Sequence, residues 1–177
     1  MLLPAGNWTG GFYDAQNAGN REEEKTMRIE PLVTYRATLK DPIAVGAGPQ
    51  GTRMIYDVTG GEFEGPRLRG RILPSGADWL LIDSEGVGRL DVRGTFETDD
   101  GARIYIQYHG VVVMNDKVGT ALAGRGETQF GDTYFMTQPR FETGDPRYSW
   151  LNRVVAVAEG RILPNAVEYR VFEVRPD

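Results

Sequence analysis

From Arg28 onward, apolar residues recur at every second position over short runs, and glycine, proline, asparagine and aspartate separate the runs. Over 102–111, Ile104, Ile106 and Tyr108 share one face, while Arg103, Tyr105, Gln107 and His109 share the other. Over 88–97, Leu90, Val92 and Phe96 alternate with Arg89, Asp91, Arg93, Thr95 and Glu97. A period of two is that of a strand with one buried face. The pattern predicts strands over 28–40, 51–59, 66–74, 77–83, 88–97, 102–113, 132–142, 149–159 and 166–175. No long segment shows the 3.6-residue period of a helix. The fold class is therefore all-β.

The connections carry turn chemistry. Asp99-Asp100-Gly101 reads as a hairpin, Pro74-Ser75-Gly76 and Glu85-Gly86 read likewise, and Gly160 followed by Pro164-Asn165 ends a strand. The 23 glycines among 177 residues are nearly twice the usual ~7%, which fits many tight turns. Residues 114–131 form the longest irregular connection, a candidate lid or rim loop. Residues 1–27 differ: asparagine, glycine and glutamine dominate to Asn20, and Arg21–Lys25 is a charge run. They read as an N-terminal arm, either packed on a neighbouring subunit or frayed, ahead of a single domain over 28–177. Eight or nine antiparallel strands must split into two sheets or close on themselves. Closure removes exposed edges, so a closed antiparallel barrel is favoured, with room for one small ligand.

Two runs break the alternation, 109–113 and 153–158. They suggest strands covered on both faces, and hence a homo-oligomer, with a dimer favoured. A net charge of −5 repels phosphate backbones, so nucleic acid is not an expected partner. The start lacks a basic region followed by an apolar run, and no stretch approaches the ~18 apolar residues of a membrane span. No membrane partner and a cytoplasmic location are the expectation. The chain has no cysteine and one histidine, His109. This excludes thiolate metal sites and any site built on two histidines. No Walker loop and no G-x-S-x-G elbow is present. No metal and no cofactor is expected.

Some candidates have a bland reading beside a chemical one. His109 is either a surface histidine or a general acid–base group at a lumen mouth. Arg67, Arg69 and Arg71 share a face, either as a charge-balanced surface or as an anion site. Asp99 and Asp100 read as turn formers rather than a catalytic pair.

Several strings together resemble one family: GTR at 51–53, GGEFEGPRLRGRILPSGADWLL at 60–81, LDVRGTFETDDGARIYI at 90–106 and PRFETGDPRYSWLNRVV at 139–155. They are similar to the UPF0311 family, also labelled DUF3237, over about Glu30 to Val174. The resemblance implies a lipocalin-like closed β-barrel, related in shape to allene oxide cyclase, and no general reaction. Arg53, Asp78, Trp79, Arg93, Asp100, Phe141, Glu142, Tyr148, Trp150, Asn152 and Arg153 occupy the family's recurrent positions. Asp78, after Ser-Gly-Ala, is expected to tie down a turn.

Trp79 and Trp150 read either as barrel plugs or core or as lumen walls that stack a ligand; on the second reading a cavity at one end of the barrel is walled by Trp79, Tyr105 and Trp150. Glu142 is the first choice for proton transfer, since burial among aromatic walls raises a carboxyl pKa. His109 is the second. Arg93 and Asn152 would polarise a carbonyl or hydroxyl oxygen. The alternative is an Arg93–Glu142 ion pair that pins strands. Three functions compete. The first is a cofactor-independent isomerase, cyclase or lyase acting on a small, largely apolar, oxygenated molecule. The second is a non-catalytic lipocalin-like binder, and the third a structural oligomer component with no lumen.

Overall fold

The computed structural model describes residues 26–176. The arm expected over 1–27 therefore lies, but for its last two residues, outside the described residues. The strands are β1 (Arg28–Leu39), β2 (Ile43–Gly48), β3 (Gly51–Glu64), β4 (Arg69–Ile82), β5 (Val87–Thr98), β6 (Arg103–Val113), β7 (Phe135–Glu142), β8 (Ala156–Leu163) and β9 (Ala166–Arg175). One helix, α1 (Asp116–Leu122), precedes β7, and a 3-10 helix (Pro146–Arg153) follows it. Neighbours run antiparallel in the order β1-β9-β8-β7-β6-β5-β4-β3-β2, and β1 also pairs with β3. That last pairing closes an eight-stranded barrel, and β2 lies outside the closure as a hairpin on the free half of β3. Among the described residues, no helix is long and apolar enough to cross a membrane.

Closure needs strongly bent strands, and glycine supplies the bends. The two strands expected over 66–74 and 77–83 are one strand, β4, whose register shifts between Ile72 and Gly76. Gly76 sits at φ +100°, and a Cβ there would lie 2.0 Å from the Arg93 carbonyl oxygen. Pro74-Ser75-Gly76 is thus a bend within a strand, not a turn between two. The expected strand 149–159 also resolves differently. Asp145 caps the 3-10 helix through the Arg147 amide at 3.0 Å, with Pro146 in its first turn, and the strand starts only at Ala156. The Asp99-Asp100-Gly101 turn forms as expected, with the Gly101 amide donating to the Thr98 carbonyl at 2.9 Å.

The core divides by height. Towards one end the barrel is packed solid: Phe63 stacks on Phe96 at 4.6 Å between ring centroids, Tyr35 meets Phe96 at 5.2 Å, and fully buried Leu151 of the 3-10 helix joins the same core. Towards the other end the interior is hollow. The irregular runs alternate after all. Val112 faces inward and Val113 outward, while Ala156 and Ala158 face inward and Val155 and Val157 outward. Within one chain the outer wall is therefore not covered there: Val155 keeps 68% of its surface exposed.

Candidate functional site

The hollow half holds a cavity of about 240 Å³. Its mouth lies between the Lys40–Pro42 turn, the Leu163–Ala166 turn and the C-terminal end of α1. The expected rim loop 114–131 is there, but it is ordered. Asn115 caps α1 by accepting the Val118 amide at 2.9 Å, Lys117 pairs with Asp132, and Thr128 exchanges two hydrogen bonds with Ile162 of β8 at 2.8 and 2.9 Å.

Strand register carries polar groups into this apolar space. Tyr56 of β3 pairs with Asp78 of β4, Asp78 with Val92 of β5, and Val92 with Tyr108 of β6. Directly opposed residues share a face. These four make one inward row across adjacent strands, and all four line the cavity. Tyr169 of β9 adds a further hydroxyl, its ring 5.4 Å from that of Tyr108. Tyr35 lies behind them, with its buried hydroxyl lacking a hydrogen-bond partner among the described residues.

Asp78 is held where the β4–β5 ladder is open. No register pair joins Trp79 and Leu80 to β5, and the Asp91 amide donates instead to Asp78 Oδ1 at 3.3 Å. The Trp79 carbonyl accepts from Arg53. Among the described residues, Asp78 Oδ2 has no hydrogen-bond donor. Burial pushes the Asp78 carboxyl up to about 7, the Asp91 amide opposes the rise, the Asp91 charge adds to it, and Arg53 also opposes it. Burial likewise holds the hydroxyls of Tyr35, Tyr108 and Tyr169 well above the usual tyrosine range, with smaller contributions from one another. Tyr56 is raised by burial and by the Asp78 charge.

The residues singled out in the sequence lie elsewhere. Trp79, Arg93 and His109 do come together, but on the outer wall around Asp91. Arg93 lies 3.1 Å from Asp91, His109 Nδ1 lies 3.8 Å from it, and the Arg93 guanidinium sits 5.5 Å from the Trp79 ring centre. Glu142 is exposed opposite Tyr105, itself 36% exposed, also on the outer wall. Arg93 pairs with Asp91 and not with Glu142, so the strand-pinning pair is absent. Trp150 and Asn152 belong to the 3-10 helix at the packed end, far from the mouth. Arg67 covers Trp150 at 3.6 Å, and Asn152 holds both the amide and the carbonyl of Thr143, at 2.8 and 2.9 Å. Asp78 ties down no turn and faces the lumen. The arginine stripe is charge-balanced: Arg67 pairs with Glu173, Arg69 with Asp99 and Arg71 with Glu97.

A family model described as "Protein of unknown function (DUF3237)" matches residues 27–174. This chain belongs to that family. A UPF0311 protein of Rhodopseudomonas palustris, RPA1785, is 35% identical over 150 residues, covering 84% of this chain and 97% of that one. Its crystal structure superposes with a TM-score of 0.78 over 85% of this chain and 99% of that one, at 32% identity. A β-barrel-like protein of Acinetobacter baumannii superposes with a TM-score of 0.73 at 35% identity, over 88% of this chain and all of that one. A Penicillium roqueforti protein named PR-toxin biosynthesis cluster protein 7 is 27% identical over 165 residues, covering 81% of this chain and 87% of that one. The same barrel is thus shared with the Rhodopseudomonas and Acinetobacter proteins.

Proposed function

We propose that the lumen of this DUF3237 barrel binds a small, largely apolar, oxygenated molecule. It acts there as a cofactor-independent enzyme of the isomerase, cyclase or lyase kind, with Asp78 as the proton-transfer group. One observation carries the reading. Asp78 opens into an apolar cavity between two tyrosines, with one carboxyl oxygen free and its carboxyl pushed up to about 7. Such a group is present as acid and as base at neutral pH, which general acid–base catalysis requires. At about 240 Å³ the cavity falls between the ~150 Å³ that holds benzene and the ~300 Å³ where drug-sized sites begin. It suits a compact molecule of one or two rings. The Penicillium relative, named for a toxin biosynthesis cluster, adds support for small-molecule chemistry.

The test is a thermal-shift screen of one- and two-ring ketones, alcohols and ethers. Wild type is compared with Ala121→Phe, which fills the cavity from the α1 side. Compounds that stabilise wild type and lose their effect in the filled variant support the site. An equal response in both variants overturns it. A bound compound whose turnover survives Asp78→Asn removes Asp78 from the chemistry and leaves a lipocalin-like binder.

A further inference from the structure

The proposed function leaves the substrate class open, and the charge layout of the cavity narrows it. The charged residues bordering the cavity are Asp78, deep inside, and Lys40 and Asp41, at the mouth. Lys40 lies 3.4 Å from Asp57 and is well exposed. Among the described residues no cation lines the deep end: Arg53, whose charge reaches Asp78, is outside the lining and donates to the Trp79 carbonyl. A substrate carboxylate or phosphate would meet the Asp78 carboxyl there among largely apolar walls, with no cation in the lining beside it. What the deep end does offer is a row: Tyr56, whose hydroxyl donates only a weak bond to Met54 Sδ at 3.9 Å, Asp78 and, two strands further on, Tyr108. Phenolic hydroxyls are neutral donors, suited to an oxygen that gains charge during reaction. A carboxyl set between them is placed to act on the carbon beside that oxygen.

Resting on the lumen site proposed above, we infer that the substrate is an uncharged, enolisable ketone, and that Asp78 takes a proton from the carbon next to its carbonyl and returns it there or further along the conjugated chain while the Tyr56 and Tyr108 hydroxyls hold the oxygen. In the first step Asp78 Oδ2 takes the α-proton. The C–H bond breaks, an O–H bond forms on the carboxyl, and the electron pair moves onto the carbonyl oxygen as an enolate. The tyrosines hydrogen-bond that oxygen and keep their own protons, because burial holds the Tyr108 hydroxyl well above its usual range and, with the Asp78 charge, also raises Tyr56. In the second step Asp78 returns the proton. Return to the α-carbon, once the carboxyl has traded its proton with solvent, gives exchange, and return to the far end of a neighbouring double bond moves that double bond into conjugation. No oxidant, reductant or other co-reactant is consumed, and the carboxylate is restored. A carboxyl beside tyrosine donors in an apolar cavity is a recognised arrangement for this kind of proton abstraction.

The experiment uses the full chain and two probes, 3-cyclohexen-1-one and 2-decalone. Proton NMR in D₂O follows deuterium uptake beside the carbonyl and, for the first probe, migration of the double bond. Wild type is expected to exceed buffer by about 100-fold or more, the low end of what one positioned acid–base group contributes. Asp78→Asn removes that excess, and Tyr108→Phe lowers it by about 100-fold as one oxygen donor is lost. The rate rises with pH and levels off above about 7 as Asp78 ionises. Ala121→Phe, remote from the carboxyl, also abolishes exchange, so the test does not hang on one variant. Exchange that persists in Asp78→Asn overturns the inference. So does absence of exchange while the probes still stabilise wild type and not Ala121→Phe, and in that case the lumen site stands. If neither probe nor any compound of the screen stabilises wild type selectively, the lumen site falls with it.

Discussion

Asp78 costs the fold stability whenever it is ionised. An unfolded aspartate loses its proton near 3.8, whereas the folded one keeps it to about 7. Between those values the native state binds the extra proton, so stability falls as pH rises. Below about pH 4 both states are protonated and the penalty is absent. Above about 7 it is complete, at about 4 kcal/mol. Asp78→Asn should therefore be more stable than wild type at pH 8 and nearly equal at pH 4, which urea unfolding at the two pH values measures. A wild type that loses no stability to the variant between these values would count against the buried carboxyl. Glu142→Gln and His109→Ala act on the exposed outer wall and should change unfolding free energy by less than about 0.5 kcal/mol, with ligand response intact in the thermal-shift screen. Parity in the sequence already carried part of this. Phe135, Thr137, Pro139 and Phe141 alternate with Glu142 on the opposite face, so the pattern itself sends Glu142 outward. Asp78 was harder to read. In ADWLLID both parities contain apolar residues, and the large Trp79 invites an inward placement that Arg93 makes unnecessary by covering it outside.

The elements that hold the site are bent strands, and their bends are testable. Gly76→Ala must place a side chain at φ +100° against the Arg93 carbonyl. The backbone strain alone is about 1–3 kcal/mol, and the clash adds to it, so a drop of about 3 kcal/mol in urea unfolding is expected. Because Asp78 is two residues further along β4, ligand response should weaken as well. Asn152→Ala separates the two ends of the barrel. It removes both hydrogen bonds to Thr143 and should cost about 2 kcal/mol, while ligand response at the far mouth is retained. The alternation made β1, β5, β6 and β9 legible to within one residue at each end, including the inward face of Ile104, Ile106 and Tyr108. It failed where a local device overrides the period. The Asp145-Pro146 cap starts a 3-10 helix inside an apparent strand, and Gly76 lets one strand bend so sharply that it looks like two. Helix α1 is two turns long, too short to show a 3.6-residue period.

As a whole molecule the barrel is closed but not evenly so. Only Met136–Glu159 and Thr137–Ala158 join β7 to β8, whereas eleven consecutive pairs join β5 to β6. Beside that seam the buried Thr137 hydroxyl lacks a hydrogen-bond partner among the described residues. Hydrogen exchange should accordingly find the amides of β7 and β8 opening before those of β5 and β6. Equal protection around the barrel would contradict a weak seam. The other seam, where β1 meets β9, is long, and it begins with Arg28 opposite Arg175. The first and last strands of the barrel therefore start and finish side by side at the packed end. The lumen opens at the other end, beyond Leu39 and Ala166. A fusion partner, dye or surface linker attached at the end of β9 would stand on the barrel's floor, at the end opposite the cavity mouth.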